Sequence, residues 1–204
     1  MGDYYLQVIP VIISALALFV SIITAWLTLF RRGRLQMTQP TIMYFGYDNS
    51  YERSPKVFLR TLLFSTAKRG HVIENMFVTL SRGKNRYTFS FWGYGETSQL
   101  VRGSGLRVGE EGVAYNHHFL LADTTEEFEF VPGEYTICVY VTTIYRSAPL
   151  LLSTVHLTLS SELIASDREH FGVLFDWEPH ARRYRAHAQP IQRPQYGDPL
   201  AGLV

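Results

Sequence analysis

The feature that most constrains this chain is an unbroken run of 23 uncharged, mostly apolar residues from Val8 to Phe30. At about 1.5 Å per residue, a helix of that length spans roughly 30 Å, the hydrocarbon thickness of a bilayer. Only a helix satisfies its own backbone there, so residues 8–30 are expected to form one transmembrane helix. Pro10 would sit in the first turn, where its missing N–H costs nothing, and Trp26 suits the interface at the other end. A cleaved signal peptide is the competing reading. It needs a basic n-region, a shorter apolar core and a small-residue cleavage site, whereas residues 1–7 hold no Lys or Arg and the run ends in Arg31, Arg32, Gly33 and Arg34.

Lys and Arg beside a span stay cytoplasmic, so Arg31, Arg32 and Arg34 orient the chain with residues 1–7 outside and everything after Phe30 in the cell. The expected localisation is therefore the cell membrane, single-pass, with the C-terminal domain cytoplasmic. A lone Cys138 and the lack of any Asn-x-Ser/Thr sequon agree with an intracellular body. Within the run, Ser14, Ala17, Ser21, Thr24 and Thr28 recur at helical spacing and line one face, which lets two helix backbones approach closely. The alternative is that the hydroxyls bond back to carbonyls of their own helix.

Beyond a basic linker, 31–40, the pattern changes to short runs rich in Val, Phe, Tyr, Thr and Leu, separated by Gly, Pro, Asn and Asp. That is strand-and-turn punctuation, and strands are expected at about 41–47, 56–65, 71–81, 86–94, 99–108, 113–121, 126–131, 134–143 and 150–159. No long helix separates them, so the pairing must be mostly antiparallel. The expected fold class is mainly β, an antiparallel immunoglobulin-like β-sandwich over 41–160 preceded by one N-terminal transmembrane helix. After it, 161–188 is expected to be an extension with a short helix at 161–171 and an apolar anchor at Phe175 and Trp177. Residues 189–204, with three prolines and little that is apolar, are expected to be disordered.

The Phe128-x-Phe130 and Pro132-Gly133-x-Tyr135 sequence resembles the corner before a late strand of immunoglobulin-like sandwiches. That resemblance implies a Tyr135 hydroxyl bonded back to the preceding loop. The chain departs from antibody-type domains at Cys138, which lies three residues after Tyr135 and has no partner.

Nothing in the composition points to a reaction. One cysteine excludes a disulfide and any thiolate-rich zinc module, and a net charge of +1 gives no reason to expect nucleic acid as a partner. His117 and His118 are the densest histidines, but neighbours on a strand face opposite ways, so no metal is expected, nor any other cofactor. The glycines around Ser104 read as hairpin and bulge residues, since no Gly-Lys-Ser/Thr follows them. A triad of Ser104, His117 or His118, and Asp123 can be drawn only on paper.

Two surface features remain. Tyr87, Phe89 and Phe91 should share the core face of one strand, leaving Trp92 and Tyr94 on the other, either covering a sheet edge or forming a binding platform. Arg182, Arg183 and Arg185 form a basic patch that either contacts anionic lipid or is offset by Asp176 and Glu178. The expectation is a membrane-anchored cytoplasmic binding or scaffold module, not an enzyme, with the lipid bilayer and a protein partner or second copy as partners. Its single-span layout, with 16 Arg to 3 Lys, resembles small accessory proteins of bacterial membranes. Alternatives are an envelope-side domain binding sugar or protein through its aromatics, or the sensor domain of a membrane-disrupting effector.

Overall fold

A computed structural model describes residues 2–31, 33–48, 53–94, 100–102, 105–123, 125, 127–165 and 172–189. Helix α1, Gly2–Ala25, continues into a π-helical turn, Trp26–Phe30, closed by the Arg31 N–H on the Trp26 carbonyl at 3.0 Å. Because the residues ahead of the apolar run are helical too, Pro10 lies inside α1 and not in its first turn. There it removes one helical hydrogen bond, which membrane-spanning helices tolerate. Gln7–Phe30 is long and apolar enough to cross a membrane, and none of it is covered by the rest of the chain. Ile9, Leu16, Phe19, Ile22 and Phe30 each expose more than half their surface. A helix this apolar on every side covers no core among the described residues.

The remainder is β-rich. Its strands are β1, Leu35–Met37; β2, Ile42–Asp48; β3, Ser54–Ser65; β4, His71–Arg82; β5, Asn85–Tyr94; β6, Leu100–Arg102; and β7, Leu106–Val108. They continue with β8, Val113–Leu121; β9, Gly133–Thr143; β10, Arg146–Leu159; β11, Gly172–Glu178; and β12, Arg183–Ala188, with one short helix, α2, Ser161–Ala165, between β10 and β11. All twelve strands among the described residues join one antiparallel sheet in the order β10-β9-β4-β5-β8-β3-β2-β11-β12, with β1 on β3, β6 on β5 and β7 on β4. The sheet curls into a half-barrel, and its end strands β10 and β12 approach each other across a seam. Irregular pairings within β9–β10 and β4–β9 add the local twist that curling requires, and Pro149 sits in one of them, on an edge strand where it breaks no ladder. A division into two immunoglobulin-like sheets is not confirmed by this pairing.

The concave face is one apolar core. Alternate residues of each strand meet across the ladder: Val155 opposite Ile137, Ile137 opposite Leu80, Val78 opposite Phe89, Phe119 opposite Val57, Val57 opposite Phe45, and Phe45 opposite Val173. All are buried. The expected strand at 126–131 does not form. Phe128 and Phe130 still point inward while Glu127 and Glu129 stay exposed, but the segment plugs the concave face: Phe130 stacks on Phe45 at 5.1 Å and Phe128 meets Tyr87 at 4.7 Å. Alternation records one buried face, which an unpaired extended segment also has. The expected strand 99–108 is divided into β6 and β7, and β10 starts earlier, at Arg146. Of the expected helix 161–171 only α2 lies within the described residues; Phe171 lies outside them. The region after α2 is not merely an appendage: β11 pairs with β2, and Phe175 meets Phe45 at 5.0 Å.

Candidate functional site

Two clefts flank the edge strand β10, one at each half of its length. The first lies where the apolar helix joins the sheet. The Arg34 N–H donates to Thr66 Oγ1 at 2.7 Å, the Thr66 N–H donates to the Arg34 carbonyl at 3.0 Å, and Leu35 then pairs with Ser65. Gly33 allows this close approach: its φ is 68°, and a Cβ there would lie 2.7 Å from the Ala67 Cβ. From Phe30 to the clamped Arg34 is four residues, about 14 Å at full extension. The end of the sheet bearing Thr66 is therefore tied next to the end of the apolar helix.

Pairing brings distant turns to that same end. His71 opposes Val108, Ile73 opposes Thr143, and Arg146 opposes Thr143. Lys68 and Arg69 in the β3–β4 turn thus stand near Ile144, Tyr145 and Arg146 in the β9–β10 turn, and the Arg69 guanidinium lies 6.0 Å from the Tyr145 ring. Between β1 and β10 opens a cleft of about 450 Å³, cationic at its rim through Arg34 and Arg146 and apolar inside through Leu35, Val141 and Leu150. Its volume falls within the ~300–1,000 Å³ of small-molecule sites.

The second groove, about 390 Å³, lies across the seam between β10 and the β11–β12 hairpin, lined by Gln39, His156, Trp177, Arg182, Arg183 and Tyr184. The Tyr184 hydroxyl donates to the Pro40 carbonyl and accepts from Gln39 Nε2, both at 2.7 Å, so the hairpin is locked to the linker. Burial pushes the Tyr184 phenol up to about 12, against the opposing hydrogen bond from Gln39. The basic patch foreseen here is partly neutralised by its own hairpin: Arg183 lies 3.4 Å and Arg185 3.7 Å from the Glu178 carboxylate. Arg182 is exposed at the turn with φ 50°.

The histidine pair divides across the sheet as strand geometry dictates. His117 shares the core face, opposite Leu59 and 6.0 Å from the Phe91 ring, while His118 lies on the outer face, opposite Phe58. Burial lowers the His117 pKa to about 4, with the Thr61 backbone opposing. His118 falls to about 4 as well, first through burial and then through the Lys56 ammonium; the Asp48 carboxylate works the other way. Among the described residues no three His, Cys, Asp or Glu side chains are placed to hold a metal ion. Asp123 is engaged in a turn with Thr125, whose hydrogen bonds hold its carboxyl below the usual range, and Ser104 lies outside the described residues.

Phe89 is buried and Tyr87 and Phe91 pack on the core, while Trp92 is half-buried on the opposite face, paired across the ladder with His118. The Tyr94 side chain and Arg32 lie outside the described residues. In α1 and the π-helical turn that continues it, the Ser21 hydroxyl donates to the Ala17 carbonyl, Thr24 to Val20 and Thr28 to Thr24, each within 2.8 Å. Their hydroxyls are therefore satisfied inside one helix, and the face they share with Ser14 presents small groups. Sequence reasoning missed Tyr145 and Arg146 as neighbours of Arg34 around one cleft, and Arg69 as a neighbour of Tyr145; no local pattern relates residues so far apart. Strand β12, Arg183–Ala188, did carry a signal, since Tyr184 and Ala186 alternate with Arg183, Arg185 and His187.

Comparison with protein-family models, with curated proteins and with solved structures found no match.

Proposed function

We propose that the chain is a single-pass membrane protein, with residues 1–7 outside and the β-rich body in the cytoplasm, acting as a binding or scaffold module. The observation that carries this reading is an apolar helix bare of protein cover, tied by Arg34 and Thr66 directly to a curled sheet with its own core. Arg31, Arg32 and Arg34 supply the orientation. The two clefts offer cations, aromatic faces and hydroxyls, which is the chemistry of recognition. The likeness to immunoglobulin-like sandwiches belongs to this proposal and rests on the Tyr135 corner alone.

Anchoring confines the module to two dimensions, so weak contacts between neighbours gain effect from proximity. Self-association through Ser14, Ala17, Ser21, Thr24 and Thr28 would use close backbone approach, because three of the hydroxyls already serve their own helix. The test is topological. A phosphatase or fluorescent reporter fused after Val204 is expected to report cytoplasm, and a chain that resists carbonate washing is expected in the membrane fraction. An external reporter would replace this reading with the envelope-side one, in which Trp92 and Tyr94 contact sugar or protein. Membrane depolarisation on overexpression, lost when Ser14, Ser21 and Thr28 become Leu, would favour an effector instead.

A further inference from the structure

The charged groups at the anchor side of the sheet do not balance. Arg31, Arg34, Lys68, Arg69, Arg107 and Arg146 are all exposed there, against Glu74, Glu110 and Glu111. At the opposite end Asp123, Glu127, Glu129 and Glu134 stand beside Arg53, Arg82 and Lys84. Arg34, Lys68 and Arg146 make no ion pair among the described residues. At the tip of the β9–β10 turn Ile144 and Tyr145 are 53% and 51% exposed, an apolar and an amphipathic side chain at the level of the cations. Such a tip between cations is the composition of a surface that meets lipid headgroups. The cleft between β1 and β10 opens among these groups, with arginines at its rim and aliphatic side chains within.

We propose that this end of the sheet docks on an anionic leaflet and that the cleft lined by Arg34 and Arg146 takes the phosphate headgroup of an anionic lipid. The inference rests on the anchored reading, because only the tether holds these groups at the bilayer. The four residue steps from Phe30 to Arg34 allow at most about 14 Å, less than two Debye lengths of about 8–10 Å, so the tether keeps the cations where the surface charge is still felt. Arginine suits the site because its planar fork matches phosphate oxygens. The Arg182–Arg185 hairpin is excluded from this role by Glu178, which neutralises it, and by its position on the far side of the linker. Docking would fix how the second groove is presented to partners in the plane of the membrane.

The test titrates the full-length chain in detergent with phosphatidylglycerol, phosphatidylcholine or inorganic phosphate and reads retention by native mass spectrometry. Phosphatidylglycerol should be retained about tenfold better than phosphatidylcholine, a preference that falls to about twofold with either Arg146→Gln or Arg34→Gln alone and vanishes with both. Arg146→Lys, which preserves charge, should keep most of the preference, and Arg183→Gln should keep all of it. Equal retention of the two lipids, or indifference to Arg34 and Arg146, overturns the proposal. So does inorganic phosphate binding as well as the lipid, which would make the cleft a free-anion site. Release of the chain by carbonate overturns the anchored reading and this one together, whereas a carbonate-resistant chain without lipid preference sinks the docking alone.

Discussion

The Tyr135 hydroxyl closes on both backbone groups of Val131: it donates to the carbonyl at 2.7 Å and accepts from the N–H at 3.0 Å. Burial raises the phenol's pKa, with the Val131 hydrogen bond opposing, so the group stays neutral and can do both. The segment carrying Phe128 and Phe130 has no strand partner, and this contact anchors its end. Tyr135→Phe leaves one half-buried donor and one acceptor without a partner, at a cost of about 1–3 kcal/mol. Urea denaturation should show a lower midpoint at unchanged slope. An unchanged midpoint would mean that water replaces the hydroxyl and the corner is incidental.

Phe130 tests whether the same segment is plug or surface loop. It is 2% exposed, stacks on Phe45 and meets Phe128 edge-on. Phe130→Ala should destabilise the domain by about 3–5 kcal/mol, as for other buried aromatics. Glu129→Ala, on the exposed side of the same segment, should change the thermal midpoint little. If the two substitutions proved equal, the plug would not exist.

His117 and His118 predict an acid weakness. Both have pKa values lowered to about 4 in the folded chain against an ordinary value of 6.5, so between those limits the unfolded chain binds more protons. Stability is full above pH 6.5 and is lost as pH falls toward 4, by about 3 kcal/mol for each histidine. Denaturation midpoints at pH 7.5 and pH 4.5 should therefore converge in His117→Leu, relative to the unaltered chain. A pH dependence identical in both would assign the acid sensitivity to other groups.

Gly33 couples the apolar helix to the sheet. Gly33→Ala demands a left-handed backbone from a residue with a Cβ and drives that atom toward Ala67, costing about 1–3 kcal/mol locally. Hydrogen exchange should accelerate at the amides of Arg34 and Thr66 while protection in β4 and β9 persists. Uniform acceleration throughout the sheet would show that the linker and the core unfold as one unit.

What could be read before folding was local. The apolar run is long enough for one span whatever surrounds it, and β3, β9 and the later half of β10 are marked by side chains whose solvation repeats with period two. His117 and His118 could be assigned to opposite faces for the same reason. Even the tyrosine corner was legible, because its donor and acceptors lie within four residues. Partnership was another matter. Phe128 and Phe130 alternate like a strand yet belong to no strand of the sheet among the described residues, and β1 is too short, at three residues, to show any period.

The chain's order of residues determined which segments are apolar, which face of each is buried and where the long apolar helix runs. Only the tertiary structure decided that Arg34 meets Thr66, that Arg146 arrives beside them, and that β11 and β12 extend the sheet. Those outcomes depend on register and on which distant strands close a common core, and the free energy of such pairings lies in contacts between segments that no single segment contains.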